Sequence, residues 1–497
     1  MANPTTLTNR LPRRPAALDQ TVINNRFFYF TVVFYVILQS IVVYLNIESR
    51  MFIAFCYFSI AILLFFSLNK PEIPIFVLTL YVPFSKIIVG NLATAVNFTN
   101  VLLFIILFSW FISHESREER FLVRTPLNFP LFLFALLGII SLIQGSYQMV
   151  DIEGGNLIFS FWRWYVPMFL YIVVVNNIRN RESIKKMFII IMITAVAVAL
   201  ITIREHANIG NVSSWEKARI GGISGNPNSL GTFFVNYGPL LLGIFIYNVH
   251  KIGSWIYMFF FLLCARGAHV TYSRGTWLAM GIATLFITAV TRSKKLLIPG
   301  IILVILVVLN PSLLPESITG RFQSTFTNRQ TYLEQSVEEK VEKSSSDRII
   351  IWKGALNMIQ HNPFLGFGFG VFPYYIMDYS EIEAQRDAHN TYLRIAAEMG
   401  VPALLVFLSL LIIVFSTTFW VFRHSKDKFF KGCSVGFLGS IIGLAVACMF
   451  GSRMNSLEIS GQFWIIAALM QRLKIIITQE MIDKNKQRAQ SNAETKK

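Results

Sequence analysis

The sequence has few charged residues for its length: Asp, Glu, Lys and Arg make up only 14% of 497 residues. By contrast, 54% of the residues are hydrophobic, and Phe alone occurs 45 times. One soluble fold cannot hide so much apolar surface, so a bilayer must be the solvent for most of the chain. The low charge therefore excludes an ordinary soluble domain.

Cysteine is also scarce, and its placement excludes two further classes of protein. No two cysteines form a CxxC spacing, and all of them lie in or beside apolar runs. The sequence therefore indicates neither a disulfide framework nor a zinc site. The four cysteines are Cys56, Cys264, Cys433 and Cys448.

Clustered carboxylates, the usual ligands of hard metal ions, are rare too. Asp151 and Glu153 in "DIEGG" share one loop, as a cation-dependent glycosyltransferase requires, but this pattern is short and common. We therefore predict no metal and no cofactor.

What the sequence does contain is a series of apolar runs, each suited to crossing about 30 Å of hydrocarbon. We predict an all-α polytopic membrane protein of about 12–14 transmembrane helices with one large extracytoplasmic loop. The predicted spans are residues 27–45, 51–67, 74–90, 98–113, 127–147, 158–176, 187–203, 228–247, 254–270, 276–291, 295–311, 400–422, 432–450 and 456–471. The predicted regions are a basic tail (1–26), membrane helices (27–311), the outer loop (312–399), membrane helices (400–471) and a second basic tail (472–497).

The basic residues indicate the orientation, because Lys and Arg near helix ends resist translocation. With a cytoplasmic N-terminus, the basic groups at 117–124, 179–186, 292–295 and 423–431 all fall on the cytoplasmic side. The basic C-terminal tail falls there as well, so we predict that both termini are cytoplasmic. The net charge of +17 follows from the same rule. It gives no reason to predict binding to nucleic acid.

The outer loop contains two segments with a readable pattern. "SDRIIIWKGALNMIQHNP" predicts a helix that is capped by Ser346, is stopped by Pro363 and lies on the membrane surface. "FLGFGFGVFPYY" follows, and its alternating Gly366, Gly368 and Gly370 predict a tight turn with close backbone approach. No Lys-Ser/Thr pair follows these glycines, so they do not form a phosphate loop.

The predicted topology leaves four of the seven histidines outside: His206, His269, His361 and His389. His389 differs from the others because it opens a short helix, about 389–399, that leads through Gly400 and Pro402 into the next span. This position places an imidazole near the outer membrane surface. Its ordinary pKa near 6.5 suits it to remove a proton from a hydroxyl group. A histidine that only caps a helix or bonds a carbonyl is the alternative.

Arginines form the second set of candidates. Arg163 lies inside an apolar run, whereas Arg219, Arg266 and Arg274 lie at outer helix ends. A guanidinium near hydrocarbon is unfavourable unless it faces the bundle interior or a water-filled cavity, and its planar fork of donors matches phosphate oxygens. These arginines are therefore candidates for binding a diphosphate. Snorkelling of Arg266 and a structural ion pair of Arg163 are the alternatives.

Weaker candidates for substrate contact lie in the outer loop. Asn390 follows the candidate histidine directly, and the aromatic side chains of Trp352 and Tyr374 offer flat faces on which sugars stack. Aromatic residues at such positions also serve as simple membrane-interface anchors.

Several segments together resemble the O-antigen ligase family: "GISGNPNSLGTF", "SRGTWL", "WKGALNMIQHNPFLGFGFGVF", and "HN" followed by "GVPA". The resemblance covers about 219–405 and implies a membrane glycosyltransferase of the GT-C type. It further implies a metal-independent reaction on a glycan linked to undecaprenyl diphosphate. By position, His389 matches the general base, and Arg274 and Arg219 match arginines that bind the diphosphate. The family pattern often ends Gly-x-x-Gly, whereas this chain has Gly400-Val-Pro-Ala403.

The resemblance implies a bacterial inner-membrane location with the active site on the periplasmic face. It favours a ligase that transfers the glycan to a lipid A-core acceptor. A polymerase that extends the glycan on the lipid carrier needs the same base and the same diphosphate site, and transfer to protein is a further possibility. A lipid-linked glycan flippase or transporter is the alternative without catalysis, but the sequence shows no internal repeat of the kind that transporters often have.

Overall fold

The computed structural model describes seven stretches of the chain and a few isolated positions. All the regular structure in them is helical, which confirms the prediction of an all-α polytopic membrane protein. The described residues are 70–88, 97–115, 122–148, 154–209, 218–292, 343–382 and 384–495, with the single residues 59, 62, 63 and 67.

The α-helices are numbered here in chain order. They are α1 (Glu72–Tyr81), α2 (Phe98–Glu115), α3 (Asn128–Gln148), α4 (Gly154–Asn177), α5 (Arg181–Asn208), α6 (Pro227–Asn248), α7 (Trp255–His269), α8 (Arg274–Val290), α9 (Lys343–His361), α10 (Phe372–Tyr379), α11 (Thr391–His424), α12 (Lys428–Met449) and α13 (Gln462–Glu494). Short 3-10 turns lie at Val82–Phe84, Gly222–Ser224 and Ile252–Ser254, and a π-helical turn at Leu457–Gly461 precedes α13.

Six of the described helices are long and apolar enough to cross a membrane: α3, α4, α5, α6, α11 and α12. Shorter apolar helices lie at Glu72–Phe84, Phe98–Ser113 and Arg274–Val290. The predicted spans 27–45, 51–67 and 295–311 lie wholly or largely outside the described residues. The total of about 12–14 spans therefore stays a prediction.

The centre of the bundle is the pair α6 and α12, and both helices are largely buried. Glycines allow their backbones to approach closely. A Cβ on Gly243 would collide with the backbone of Gly432 and Gly436, and one on Gly436 would collide with the backbone of Leu240. Small residues at such crossings are typical of membrane bundles, where close van der Waals packing holds the helices together. The N-terminus of α6 is thereby fixed at one end of the bundle.

The sequence predicted a helix that is capped by Ser346 and ends before Pro363. The helix α9 ends at His361 as expected, but it begins at Lys343, so Ser346 lies inside the helix and the predicted cap is wrong. The sequence also predicted a short helix running into the next span, and α11 has this form. Gly400 interrupts α11 with φ 83° and ψ 166°, a backbone conformation open essentially to glycine alone. The short first part of α11 and the following span therefore meet at a kink.

The glycine-rich turn after α9 provides the hydrogen bonds that this kink removes. Pro402 has no N–H to donate to the Glu398 carbonyl. The Val401 N–H does not bond within α11 but donates to Pro363 O at 2.7 Å. In exchange, the N–H of Gly368 donates to Glu398 O at 2.9 Å, and that of Phe367 to Ala397 O at 2.9 Å. The glycines are therefore a structural turn, as predicted, and they anchor the outer loop to α11.

The predicted last span ended at 471, whereas α13 continues to Glu494. The apolar run ends near residue 471 because charged residues such as Lys474 and Glu480 follow it. Lys and Glu are nevertheless good helix formers, so the helix persists without an apolar face. The side chains described after Ile477 are exposed.

Candidate active site

A basic cavity that is open to solvent lies where α6, α8, α9 and α12 meet. Two helix N-termini line it, those of α6 and α8, and their first-turn N–H groups favour an anion. Four arginines share its wall. The lining residues are Arg219, Asn228, Thr232, Tyr272, Ser273, Arg274, Gly275, Thr276, Arg348, Ala447, Phe450 and Arg453.

Arg219 precedes α6 and is held against both helices at the cavity. Its Nε donates to Thr271 O at 3.3 Å, and its Nη2 donates to Asn228 Oδ1 at 3.2 Å. Asn226 caps α6 by accepting from the N–H groups of Asn228 and Ser229. Arg274 is the first residue of α8 and lines the same cavity. The structure thus brings together the two arginines that the sequence analysis ranked as matching the family.

Arg453 was not predicted, although it is the most buried of the four, with 8% of its surface exposed. Its Nη1 donates to Ser229 Oγ at 3.2 Å, and its Nη2 to Phe450 O at 3.4 Å. Burial lowers the pKa of Arg453 to about 10, and this value keeps the side chain charged at neutral pH. It therefore contributes a fixed positive charge to the cavity.

Arg348 was also missed, because "SDRIIIW" was interpreted only as the start of a helix. It lies on α9, and its buried Nε has no hydrogen-bond partner among the described residues. Burial lowers the pKa of Arg348, and the neighbouring Arg274 and Arg219 lower it further. Bringing like charges together is unfavourable without an anion among them, so this cluster has the electrostatics of an anion site.

The predicted topology carried a signal for one of the two missed residues. Basic residues are depleted in short loops on the outer side of membrane proteins. An arginine in the short outer turn between the last two predicted spans, such as Arg453, is therefore unusual for its side and is a functional candidate. Arg348 lies in a long loop with several other basic residues, where this signal does not apply.

His389 lies in the segment just before α11, with its side chain about half exposed (44%). Its φ of 47° is left-handed, a conformation that non-glycine residues adopt rarely. The Asp387 carboxylate accepts the His389 backbone N–H at 3.1 Å, and the Trp352 indole N–H donates to Ala388 O at 3.1 Å. Asn390 then caps α11 by accepting from the N–H groups of Tyr392 and Leu393. These contacts fix the backbone that carries the imidazole.

The His389 segment is joined directly to the turn that carries Arg453. Thr391 Oγ1 donates to Gly451 O at 2.8 Å and accepts the Arg453 N–H at 3.1 Å. Ser452 Oγ donates to Asp387 Oδ2 at 2.8 Å. The imidazole and the arginine cavity therefore belong to one rigid arrangement.

Burial lowers the pKa of His389 below its ordinary value. Asp387 opposes this shift, whereas the positive charges of Arg348, Arg453 and Arg386 add to it. The imidazole is therefore neutral at pH 7 and able to accept a proton.

Two of the predicted arginines lie elsewhere. Arg163 is exposed on α4 and does not line the cavity. Arg266 is exposed at the end of α7, where its Nη1 lies 2.8 Å from His269 Nδ1. Tyr374 is half-buried on α10 and does not line the cavity either. The described structure therefore does not bring these three residues to the arginine cluster.

Among the described residues, no three His, Cys, Asp or Glu side chains are grouped as metal ligands. Asp151 and Glu153 lie outside the described part of the chain. The interpretation of "DIEGG" thus stays untested.

The fold and the site define an integral membrane protein with a basic cavity at one end of its helical bundle. The family model described as O-antigen ligase matches residues 259–408, a stretch that contains Arg274, Arg348 and His389. This match confirms the resemblance to the O-antigen ligase family over residues 259–408. A comparison with curated proteins found no significant match. The match supports, at family level, a membrane glycosyltransferase of the ligase or polymerase type in glycan assembly.

Proposed function

We propose that this protein is an O-antigen ligase that transfers a glycan from undecaprenyl diphosphate to a lipid A-core acceptor. The observation that carries the proposal is the joining of two elements: a cavity lined by four arginines and a neutral histidine on a fixed backbone segment. Ser452 donates a hydrogen bond to Asp387 in the segment that carries His389, and the next residue, Arg453, lies in the cavity wall. A lipid-linked diphosphate donor and an acceptor hydroxyl need these two elements side by side.

The arginine cavity suits the donor diphosphate. Guanidinium groups bind phosphate oxygens through paired hydrogen bonds, and Arg219, Arg274, Arg348 and Arg453 supply several such groups on one wall. The N-termini of α6 and α8 add oriented N–H groups. Fixed positive charges of this kind stabilise the negative charge that grows on a departing diphosphate.

His389 acts as general base in the proposed reaction. It removes the proton from the acceptor hydroxyl while that oxygen bonds to the anomeric carbon of the donor sugar. The bond from the anomeric carbon to the diphosphate oxygen breaks, and its electron pair leaves with the diphosphate. Because this is a single displacement, the configuration at the anomeric carbon inverts. The glycan is now attached to the acceptor, and the proton is on the imidazole.

The proposal also assigns sides of the bacterial inner membrane. Residues 312–399 and the cavity face the periplasm, and both termini are cytoplasmic. In support, α6 separates two basic regions of different kinds. Its N-terminus lines the cavity. Tyr247 lies near the other end of α6, about 30 Å from that N-terminus at 1.5 Å per residue, and the Lys431 ammonium lies over the Tyr247 ring. Lys431 belongs to the predicted cytoplasmic loop.

Purified protein, undecaprenyl-diphosphate-linked glycan and lipid A-core test the proposal in one assay. We expect glycan-bearing lipid A-core from the wild type and only a small residual amount of it from His389→Ala. His361→Ala is the matched control, since His361 is an exposed outer-loop histidine that pairs with Asn357 O on its own helix α9 and packs its ring against Tyr379. We expect this control to retain activity.

A second arm of the assay omits lipid A-core. Growth of the carrier-linked glycan in that arm would identify a polymerase, which uses the same base and diphosphate site. If neither arm gave a covalent product with the wild type, the catalytic proposal would fail and transport would become the better explanation.

A further inference from the structure

Asp387 has the geometry of a group that acts through His389. Its Oδ2 accepts the His389 backbone N–H at 3.1 Å and lies 3.7 Å from the imidazole Nδ1. The Nδ1 side of the ring thus faces a carboxylate, and Nε2 is the nitrogen left to receive a proton. The ring and the carboxylate are close enough for a charged pair, and a hydrogen bond can form after a small movement.

Asp387 is itself held in place from two further directions. Arg394 Nη1 donates to Asp387 Oδ1 at 3.0 Å, and Ser452 Oγ donates to Oδ2 at 2.8 Å. Arg394 Nε also donates to Glu398 Oε1 at 3.2 Å, so this guanidinium is fixed at both ends. The network spans the outer loop, the first turns of α11 and the turn after α12. The carboxylate therefore cannot turn away from the histidine without breaking several hydrogen bonds.

The charges around His389 show why a carboxylate is needed there. Arg386 on the same segment, Arg348 on α9 and Arg453 after α12 all oppose a positive charge on the imidazole, and Asp387 is the group that favours one. Burial is the largest single effect and raises the pKa of Asp387, but the positive charge of Arg394, the nearby His389 and the hydrogen bonds from Ser452 and the His389 N–H together outweigh it and hold that pKa below its usual value. Asp387 is therefore ionised when His389 takes up a proton.

We propose that Asp387 is a positioning residue for His389: it orients the imidazole and stabilises the imidazolium that forms when the acceptor loses its proton. This inference rests on the proposed function, in which His389 is the base. It adds a second residue to the proton-transfer step. No member of the arginine cavity changes its role.

The test measures kcat, the donor KM and the pH profile of Asp387→Asn. We expect kcat to fall by about 10-fold to 100-fold, because the base is weaker and less well oriented, with the donor KM changed by less than about 2-fold. Removing the carboxylate lowers the pKa of His389 further, so the acidic limb of the kcat profile should move to lower pH. Asp378→Asn makes the same change at an exposed outer-loop aspartate and should leave kcat unaltered.

Two outcomes would overturn the proposal. One is an unchanged kcat. The other is a lower kcat with the acidic limb in its original place, since that result assigns Asp387 a purely structural role. Ser452→Ala decides the matter if Asp387→Asn does not fold. This variant keeps the carboxylate but frees Oδ2 from one donor, so the limb should move to higher pH.

The His389→Ala background separates this inference from the proposed function. If Asp387 acts through His389, the residual activity of His389→Ala should not fall further when Asp387→Asn is added. An additional loss in the double variant would overturn the role of Asp387 alone. Full activity in His389→Ala itself would instead overturn the proposed function.

Discussion

Thr391 and Arg453 are 62 positions apart in the sequence, yet the Arg453 backbone N–H donates to Thr391 Oγ1 at 3.1 Å. The same hydroxyl donates to Gly451 O at 2.8 Å. Thr391 is the first residue of α11, two positions after His389, and Arg453 lines the arginine cavity. One buried hydroxyl therefore fixes the distance between the candidate base and the candidate diphosphate site.

Replacing Thr391 with Val should disturb both parts of the site. Loss of the hydroxyl leaves two buried backbone groups unpaired, which should destabilise the protein by about 1–3 kcal/mol. Arg453 should also move, so the donor KM should rise and kcat should fall. Thr391→Ser keeps the hydroxyl and is the matched control. Thermal unfolding in detergent and steady-state kinetics measure the two effects, and equal behaviour of the Val and Ser variants would contradict the prediction.

The cavity arginines should differ from the arginines outside it. We expect Arg348→Gln and Arg453→Gln each to weaken donor binding by about 10-fold or more, because a charge-assisted contact to phosphate contributes about 1.5–3 kcal/mol. Arg163→Gln and Arg266→Gln should change donor binding much less, because neither side chain lines the cavity. Arg204→Gln, at an exposed position near the end of α5, serves as a neutral control. Binding of undecaprenyl diphosphate to the purified variants provides the measurement.

The kink in α11 should tolerate no side chain at Gly400. Its φ of 83° and ψ of 166° exclude other residues, and a Cβ would collide with the Phe364 carbonyl. Gly400→Ala should therefore destabilise the protein by at least about 2 kcal/mol and loosen the outer loop. Gly281→Ala is the control, because that helical glycine has open space at its Cβ and alanine favours the helix. A thermal unfolding midpoint for Gly400→Ala as high as that of the control would refute the prediction.

The sequence was sufficient for the features that depend on local pattern. Apolar runs indicated the spans, the segment from Ser346 to His361 indicated α9, and Gly400 with Pro402 indicated the break in α11. Each of these follows from backbone chemistry within a few residues. The residues next to the glycine-rich turn in the chain also indicated correctly that it is a structural turn and not a phosphate loop.

The composition of the arginine cluster depends on long-range packing, which local pattern does not contain. Arg163 and Arg274 both lie in or beside apolar runs, and nothing in their neighbours says which side of the helix faces the bundle. Arg348 and Arg453 reach the cavity from segments far apart in the chain. Their side chains meet Arg219 and Arg274 only because α9 and the turn after α12 pack against the N-termini of α6 and α8.

The pH dependence of the wild-type enzyme should reflect the charges around His389. Burial and nearby arginines lower the pKa of His389 below 6.5, so the imidazole stays neutral, and able to act as a base, below the pH at which an ordinary histidine becomes protonated. The rate should therefore hold down to about pH 6.5 and fall only as pH drops through the lowered pKa. Donor binding should stay constant from pH 7 to pH 9, because Arg453, with a pKa of about 10, remains charged there. Initial rates at saturating donor from pH 5 to pH 9 test the first statement, and the donor KM from pH 7 to pH 9 tests the second. An acidic limb centred above pH 6.5 would mean that the imidazole is stabilised in its charged form, and the burial argument would then be wrong.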